Sequence, residues 1–199
     1  MYNSSRTLCL IIAVLIEVFA MIETHAQADF ETFPRDPLTK RILYKESIQM
    51  PGVNAHQLYL RAKTWKFNKL KEGHYILDNQ VSTKVKVVAE PFEFIHVDLK
   101  GKQAKTRFFY LVTITISPHA YQYTISDLFV GSNPGKKQGI RLKKERAERI
   151  IFKDISKSKE YEKRLIQSYR QEVHRVISQL IIELKNAMAT PREEGIDDW

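Results

Sequence analysis

The chain has 199 residues, 43% of them hydrophobic and 28% charged, with a formal net charge of +9 and a single cysteine. That length suits one domain with extensions, and the apolar content is enough to bury a core without metals or disulfides. The one cysteine, Cys9, sits in an N-terminal apolar run. A chain trimmed behind that run has no thiol, which excludes disulfides, thiolate catalysis and cysteine-based metal sites.

The N-terminus has the order of a secretory signal peptide. MYNSSRT carries Arg6, LCLIIAVLI is apolar from Leu8 to Ile16, and Ala26-Gln27-Ala28 is a small-x-small cleavage site. The run is short for a bilayer span and Glu17 interrupts it. The expectation is export with cleavage after Ala28, to the periplasm or the medium. Peripheral contact with a membrane is allowed, and the mature chain has no transmembrane segment. A retained N-terminal anchor is the alternative. Lipidation of Cys9 is disfavoured, because Ser5-Arg6-Thr7-Leu8 precedes it. Loss of residues 1–28 removes Arg6, Glu17 and Glu23 and leaves a net charge of +10. Such an excess favours anionic partners.

Residues 29–41, ADFETFPRDPLTK, have two prolines and no period, and read as an extended arm. ILYKESIQ (42–49) is a first strand, stopped by Pro51-Gly52. Asn54 is a helix N-cap, followed by Ala55, Leu58, Ala62 and Trp65 on one face of a helix running to about Leu70. HYILDNQ, TKVKVVAEPFEFIHVDL, TRFFYLVTITI and AYQYTISDLFV are rich in aromatic and β-branched residues and read as strands. Their separators are short enough for hairpins, which forces antiparallel pairing. Pro91 within the long second strand marks an edge or a bulge. Residues 132–157 read as a basic connector. From Ser158 to Ala189 the period is helical, with Tyr161, Leu165, Tyr169, Val173, Val176, Leu180, Leu184 and Ala187 on one stripe. Residues 190–199 form an acidic tail. The order β-α-β-β-β-β-α predicts a two-layer α+β domain with both helices on one face of the sheet.

Three stretches carry a family resemblance. YKESIQMPG (44–52), LYLRAKTW (58–65) and AYQYTISDLFV (120–130) resemble an exported Bacteroidetes family, domain of unknown function 4468, with a TBP-like fold. Asp197-Asp198-Trp199 is also similar to the ends of some members. The resemblance covers about residues 42–131. It implies a TBP-like domain with a curved antiparallel sheet of about five strands, and an envelope location. It implies no reaction and no catalytic residue. TBP itself binds DNA on its sheet, but that is fold-level analogy.

GSNPGKKQG (131–139) invites comparison with a phosphate-binding loop. In G-x-x-x-x-G-K-[ST] the backbone cradles phosphates and a hydroxyl reaches magnesium. Here Gly131 and Gly135 are one residue too close, and Lys137 stands in the hydroxyl's place. The stretch reads as a loop. Around it lie Lys136, Lys137, Arg141, Lys143, Lys144, Arg146 and Arg149, seven cations against Glu145 and Glu148. Lys100, Lys102, Lys105 and Arg107 add a basic hairpin. These charges are either a solvated connector or an electrostatic contact with an anionic envelope surface or an acidic protein.

His56, His74, His96, His119 and His174 show no metal-ligand spacing, and no cofactor motif is present. His96 and Asp98 share a strand face, where such a pair is more often an ordinary polar contact than a base with an orienting carboxylate. There is no G-x-S-x-G elbow. Trp65, Phe67, Phe108, Tyr110, Tyr121, Tyr123 and Phe129 are expected in the core, with a minority lining the uncovered sheet face and open to a peptide or glycan. The reading is a non-catalytic, exported binding module with residues 136–149 as its contact surface. An envelope hydrolase near His96 and Asp98 is the alternative. Nucleic-acid binding applies only if the chain is not exported.

Overall fold

The computed structural model describes residues 33–69, 79–81, 84–131 and 144–191, and the fold below belongs to the unit Pro34–Trp199. The expected signal peptide, the expected acidic tail beyond residue 191 and most of the expected basic connector lie outside the described residues. The strands are β1 (Tyr44–Gln49), β2 (Asn79–Val81), β3 (Lys84–Ala89), β4 (Phe92–Leu99), β5 (Lys102–Ser117), β6 (Ala120–Gly131) and β7 (Lys144–Arg146). The helices are α1 (Ala55–Lys69), α2 (Ala147–Ile151) and α3 (Glu160–Ala189).

All seven strands join one antiparallel sheet in the order β1-β6-β5-β3-β2, with β4 on β5 and β7 on β6. β3 and β4 lie end to end along one side of β5, and β1 and β7 along the outer side of β6. The sheet is therefore five strands wide, and the α+β class expected from the sequence holds. Pro91 explains the split between β3 and β4, since a residue without an N–H interrupts the ladder.

Local chemistry sets the connections. Val53 N–H donates to the Met50 carbonyl (3.1 Å) across Pro51-Gly52, and Gly52 has φ +80°. That is a type II turn, which needs glycine in its third place. Lys100 and Gly101, with φ of 56° and 78°, make the tight two-residue turn between β4 and β5. Asp98 Oδ1 accepts the Gly101 N–H at 2.7 Å. At the start of α1, Asn54 Oδ1 accepts the Gln57 N–H (2.8 Å) and Gln57 Oε1 accepts the Asn54 N–H (3.2 Å), a reciprocal cap.

The core lies between the sheet and the helices. Phe108, Tyr110, Val112, Ile114 and Ile116 alternate along β5 and are buried, as are Ile125, Leu128 and Val130 on β6. Against them pack Leu58, Ala62 and Trp65 of α1 and Val173, Val176, Ile177, Leu180, Leu184 and Met188 of α3. The stripe on α3 is rotated from expectation at its start, with Ile166 buried and Leu165 half-buried. Arg61 is buried in the same layer and donates to the Met188 carbonyl at 2.7 Å. It satisfies one of the carbonyls a helix leaves without partners at its C-terminus.

Two stretches differ from their sequence reading. Residues 34–43 form a closed turn rather than an extended arm. Asp36 Oδ1 accepts the Leu38 and Thr39 N–H groups (3.1 and 2.6 Å), and Leu43 N–H donates to the Pro34 carbonyl (2.9 Å). An aspartate that bonds the backbone two and three residues on closes the chain in this way. Within the basic connector, residues 144–151 are a strand and a short helix. Glu148 of that helix accepts the Ile42 N–H at 3.1 Å. Among the described residues no helix is long and apolar enough to cross a membrane.

Candidate functional site

The alternation that buries even-numbered residues of β5 turns odd-numbered ones to the other face, which no described element covers. Register places Phe92 opposite Phe109, Phe94 opposite Arg107, His96 opposite Lys105 and Phe129 opposite Phe109 and Arg146. Four phenylalanines and a row of cations therefore share the open face. Phe92 and Phe94 meet edge to face at 5.8 Å, and Phe92 lies 5.8 Å from Phe109. Lys105 Nζ is 3.9 Å from the centre of the Phe94 ring, Lys144 Nζ 4.1 Å from that of Phe109, and the Arg146 guanidinium 5.0 Å from that of Phe129. Arg107 lies between Phe92 and Phe94 at 5.4 and 5.8 Å. A cation over a ring face is held by the ring's quadrupole.

Four irregularities fall on one line across this sheet. β3 gives way to β4 at Glu90-Pro91. The β5–β6 register shifts between Phe109 and Leu111. Asp127 adopts φ +50°, the left-handed region. Along the outer side of β6 the neighbour changes from β1, ending opposite Ile125, to β7, beginning opposite Phe129. Bulges of this kind bend a strand and re-aim its side chains. A pocket of about 240 Å³ opens in the resulting crease. Phe92, Phe109, Phe129 and Leu111 form its apolar wall, with Lys144, Glu90 and Asp127 also lining it. Asp127 is bridged by Arg41 and Arg146, each at 3.6 Å. Lys105, Arg107 and Lys144 have no ion pair among the described residues. Tyr110 reaches the pocket from β5, but its hydroxyl donates to Glu93 Oε1 (3.0 Å) on the helix side. Burial and the Glu93 carboxylate push its pKa far up, so it supplies no phenolate.

Of the seven cations named from sequence, Lys144 and Arg146 stand on this face through the register of β7, and Arg149 is exposed on α2. Lys136, Lys137, Arg141 and Lys143 lie outside the described residues. Lys105 and Arg107 of the basic hairpin join the same face. His96 and Asp98 are not brought into a working pair. The Asp98 carboxylate is turned to the Gly101 N–H and to Arg164 Nε, 4.0 Å away. No hydrogen bond joins it to the imidazole among the described residues. Among those residues, too, no three His, Cys, Asp or Glu side chains gather as a metal site.

Trp65, Phe108, Tyr110, Tyr121 and Tyr123 are core, as expected. Phe67 is not: it is 64% exposed on α1, because its place two residues beyond Trp65 turns it off the buried stripe. Phe129 is likewise not core but half-buried on the open face. Phe92, Phe94 and Phe109 were not singled out in sequence. Their period-two spacing with Arg107 was the available signal.

Residues 44–130 match the model of a family described as a domain of unknown function (DUF4468) with TBP-like fold. No match was found among curated proteins. A TBP-like protein from Parabacteroides distasonis has a similar crystal structure, with TM-score 0.57, 14% identity, and coverage of 80% of this chain and 99% of that one. A DUF4468 family protein from Bacteroides ovatus is similar at TM-score 0.53, 14% identity, and coverage of 82% and 94%. At such identity these structures show a shared fold. The sheet order and the helices on one face give the chain a TBP-like fold, and its residues 44–130 are similar to the DUF4468 family.

Proposed function

We propose that the protein is a non-catalytic binding module of the cell envelope that holds an anionic partner against the open face of its sheet. The observation that carries this reading is the row of cations over aromatic rings, Lys105, Arg107, Lys144 and Arg146, on a face that no described element covers. Three of them, Lys105, Arg107 and Lys144, have no ion pair among the described residues, so they repel one another in the free protein, and an anion relieves that repulsion. Of the basic stretch 136–149, Lys144 and Arg146 stand on this face. Export through a signal peptide cleaved after Ala28 accounts for an envelope partner, and an anionic surface or an acidic protein fits the charge.

The test is retention of the protein on isolated envelopes washed at low and high salt, with the N-terminus of the recovered chain sequenced. The expected result is a chain beginning near Asp29, retained at low salt, released at high salt and lost in the variant Lys105→Glu/Lys144→Glu. Retention indifferent to both salt and substitution overturns the reading. A chain found only in the cytoplasm, with residues 1–28 intact, replaces the envelope partner with nucleic acid.

A further inference from the structure

The crease pocket indicates which part of a partner enters the open face. We propose that it anchors an acidic protein segment, seating one aromatic side chain against Phe92, Phe109 and Phe129 while Lys105, Arg107 and Lys144 pair with carboxylates beside it. This rests on reading the open face as the binding surface.

Pocket size is the first support. At about 240 Å³ it falls below the roughly 300–1,000 Å³ of a typical small-molecule site. It suits a single ring, the kind of group that dominates protein interfaces when it fills a desolvated pocket.

The second support is that the rings are recessed. Among the described residues the exposed large hydrophobics are Leu38, Phe67, Leu99 and Ile182, and none of the four open-face phenylalanines is one of them. Cations lie over them. A face that enters a lipid layer projects apolar groups outward, whereas here the partner must supply the projecting group.

Mixed charge at the pocket is the third. Glu90 lines it beside Lys144, while the Asp127 carboxylate there is already bridged by Arg41 and Arg146. A continuous polyanion, such as an anionic bilayer or a phosphate backbone, meets the Glu90 carboxylate at its closest approach. A peptide places its charges one by one, opposite the lysines only. Glu90 also offers an acceptor for an indole N–H or a phenol O–H, which favours Trp or Tyr as the inserted residue.

The test uses the full mature chain labelled with ¹⁵N. It is titrated with the peptide N-acetyl-Asp-Glu-Trp-Glu-Asp-amide, with the same peptide carrying Ala for Trp, and with phosphatidylglycerol vesicles. The Trp peptide should shift the amides of Phe92, Phe109 and Phe129 and bind about tenfold more tightly than the Ala peptide. Leu111→Trp, which fills the pocket from its own wall, should erase that advantage, and Lys144→Glu should weaken both peptides. If Leu111→Trp fails to fold, Leu111→Phe makes the same test with a smaller ring. Equal affinity of the two peptides, with Lys144→Glu still weakening both, overturns the anchor and leaves charge-driven binding standing. Vesicles bound in preference to the Trp peptide and indifferent to Leu111→Trp overturn it in favour of a membrane. Indifference of every probe to Lys144→Glu removes the binding face itself.

Discussion

Lys69 ties three elements through one ammonium group. Its Nζ lies 3.0 Å from Glu93 Oε1 on β4 and 2.7 Å from Glu183 Oε2 on α3, and Tyr110 donates to the same Glu93 oxygen at 3.0 Å. Burial alone pulls the lysine pKa down, but the hydrogen bonds to Glu183 and Glu93 outweigh it and hold the value above the ordinary 10.5. Burial likewise pushes Glu183 up, and the Lys69 and Gln179 hydrogen bonds bring it below its ordinary 4.5. The two shifts have opposite pH consequences. A carboxylate with a lowered folded pKa stabilises the fold above pH 4.5, and that share is lost as pH falls through the folded value. A lysine with a raised folded pKa stabilises below pH 10.5, and that share is lost only as pH rises through its folded value. Lys69→Met should cost about 1–2 kcal/mol near neutral pH, below the full penalty for a buried pair because both groups are part-exposed. It should also shrink the fall in melting temperature between pH 6 and pH 3. A variant that melts as the parent does across that range would show the network contributes nothing.

At the scale of elements, β4 is an edge strand, and α3 guards it. The outward N–H of His96 donates to Glu172 Oε2 at 3.2 Å and that of Asp98 to Ser168 Oγ at 3.0 Å, so a helix closes an edge that would otherwise pair with another chain. Removing both acceptors in Ser168→Ala/Glu172→Ala should cost about 1–3 kcal/mol. The His96 and Asp98 amides should then exchange with solvent at least about tenfold faster, with self-association rising. Unchanged exchange at those two amides would mean that packing of Ile95 and Val97, not the hydrogen bonds, protects the edge. This arrangement also shows what the sequence could and could not reveal. The Asn54 cap, the Pro51-Gly52 and Lys100-Gly101 turns and the break at Pro91 are local chemistry, and each was legible residue by residue. β7 was not, because Lys-Glu-Arg has no strand character of its own and is held by pairing with Phe129 to Gly131. The positive φ of Asp127 is equally non-local, set where β6 must accommodate the shifted register of β5. The crease and its pocket exist only when those distant segments are brought together.

Over the whole molecule, two layers hold stability and leave a third surface spare, and adjacent residues of one strand divide between these roles. TRFFYLVTITI carries bulky residues on both faces, so its alternation shows two sides without showing which one the helices cover. In the folded chain Phe108 is fully buried in the helix-side core, while Phe109 is half-buried on the open face against Phe92. Stability of the domain should therefore depend on the first ring far more than on the second. Phe108→Ala leaves a cavity walled by fixed neighbours and should cost about 3–5 kcal/mol, a large part of the roughly 5–15 kcal/mol of a typical domain. Phe109→Ala gives up one aromatic contact and partial burial and should cost about 1–2 kcal/mol. Urea unfolding of both variants measures the difference, with an unchanged denaturant slope showing that the same surface is exposed in each. If Phe109→Ala costs as much as Phe108→Ala, the open face is a second core and needs no partner. If it costs little for stability but abolishes binding of the Trp peptide, that ring is kept for recognition rather than for the fold.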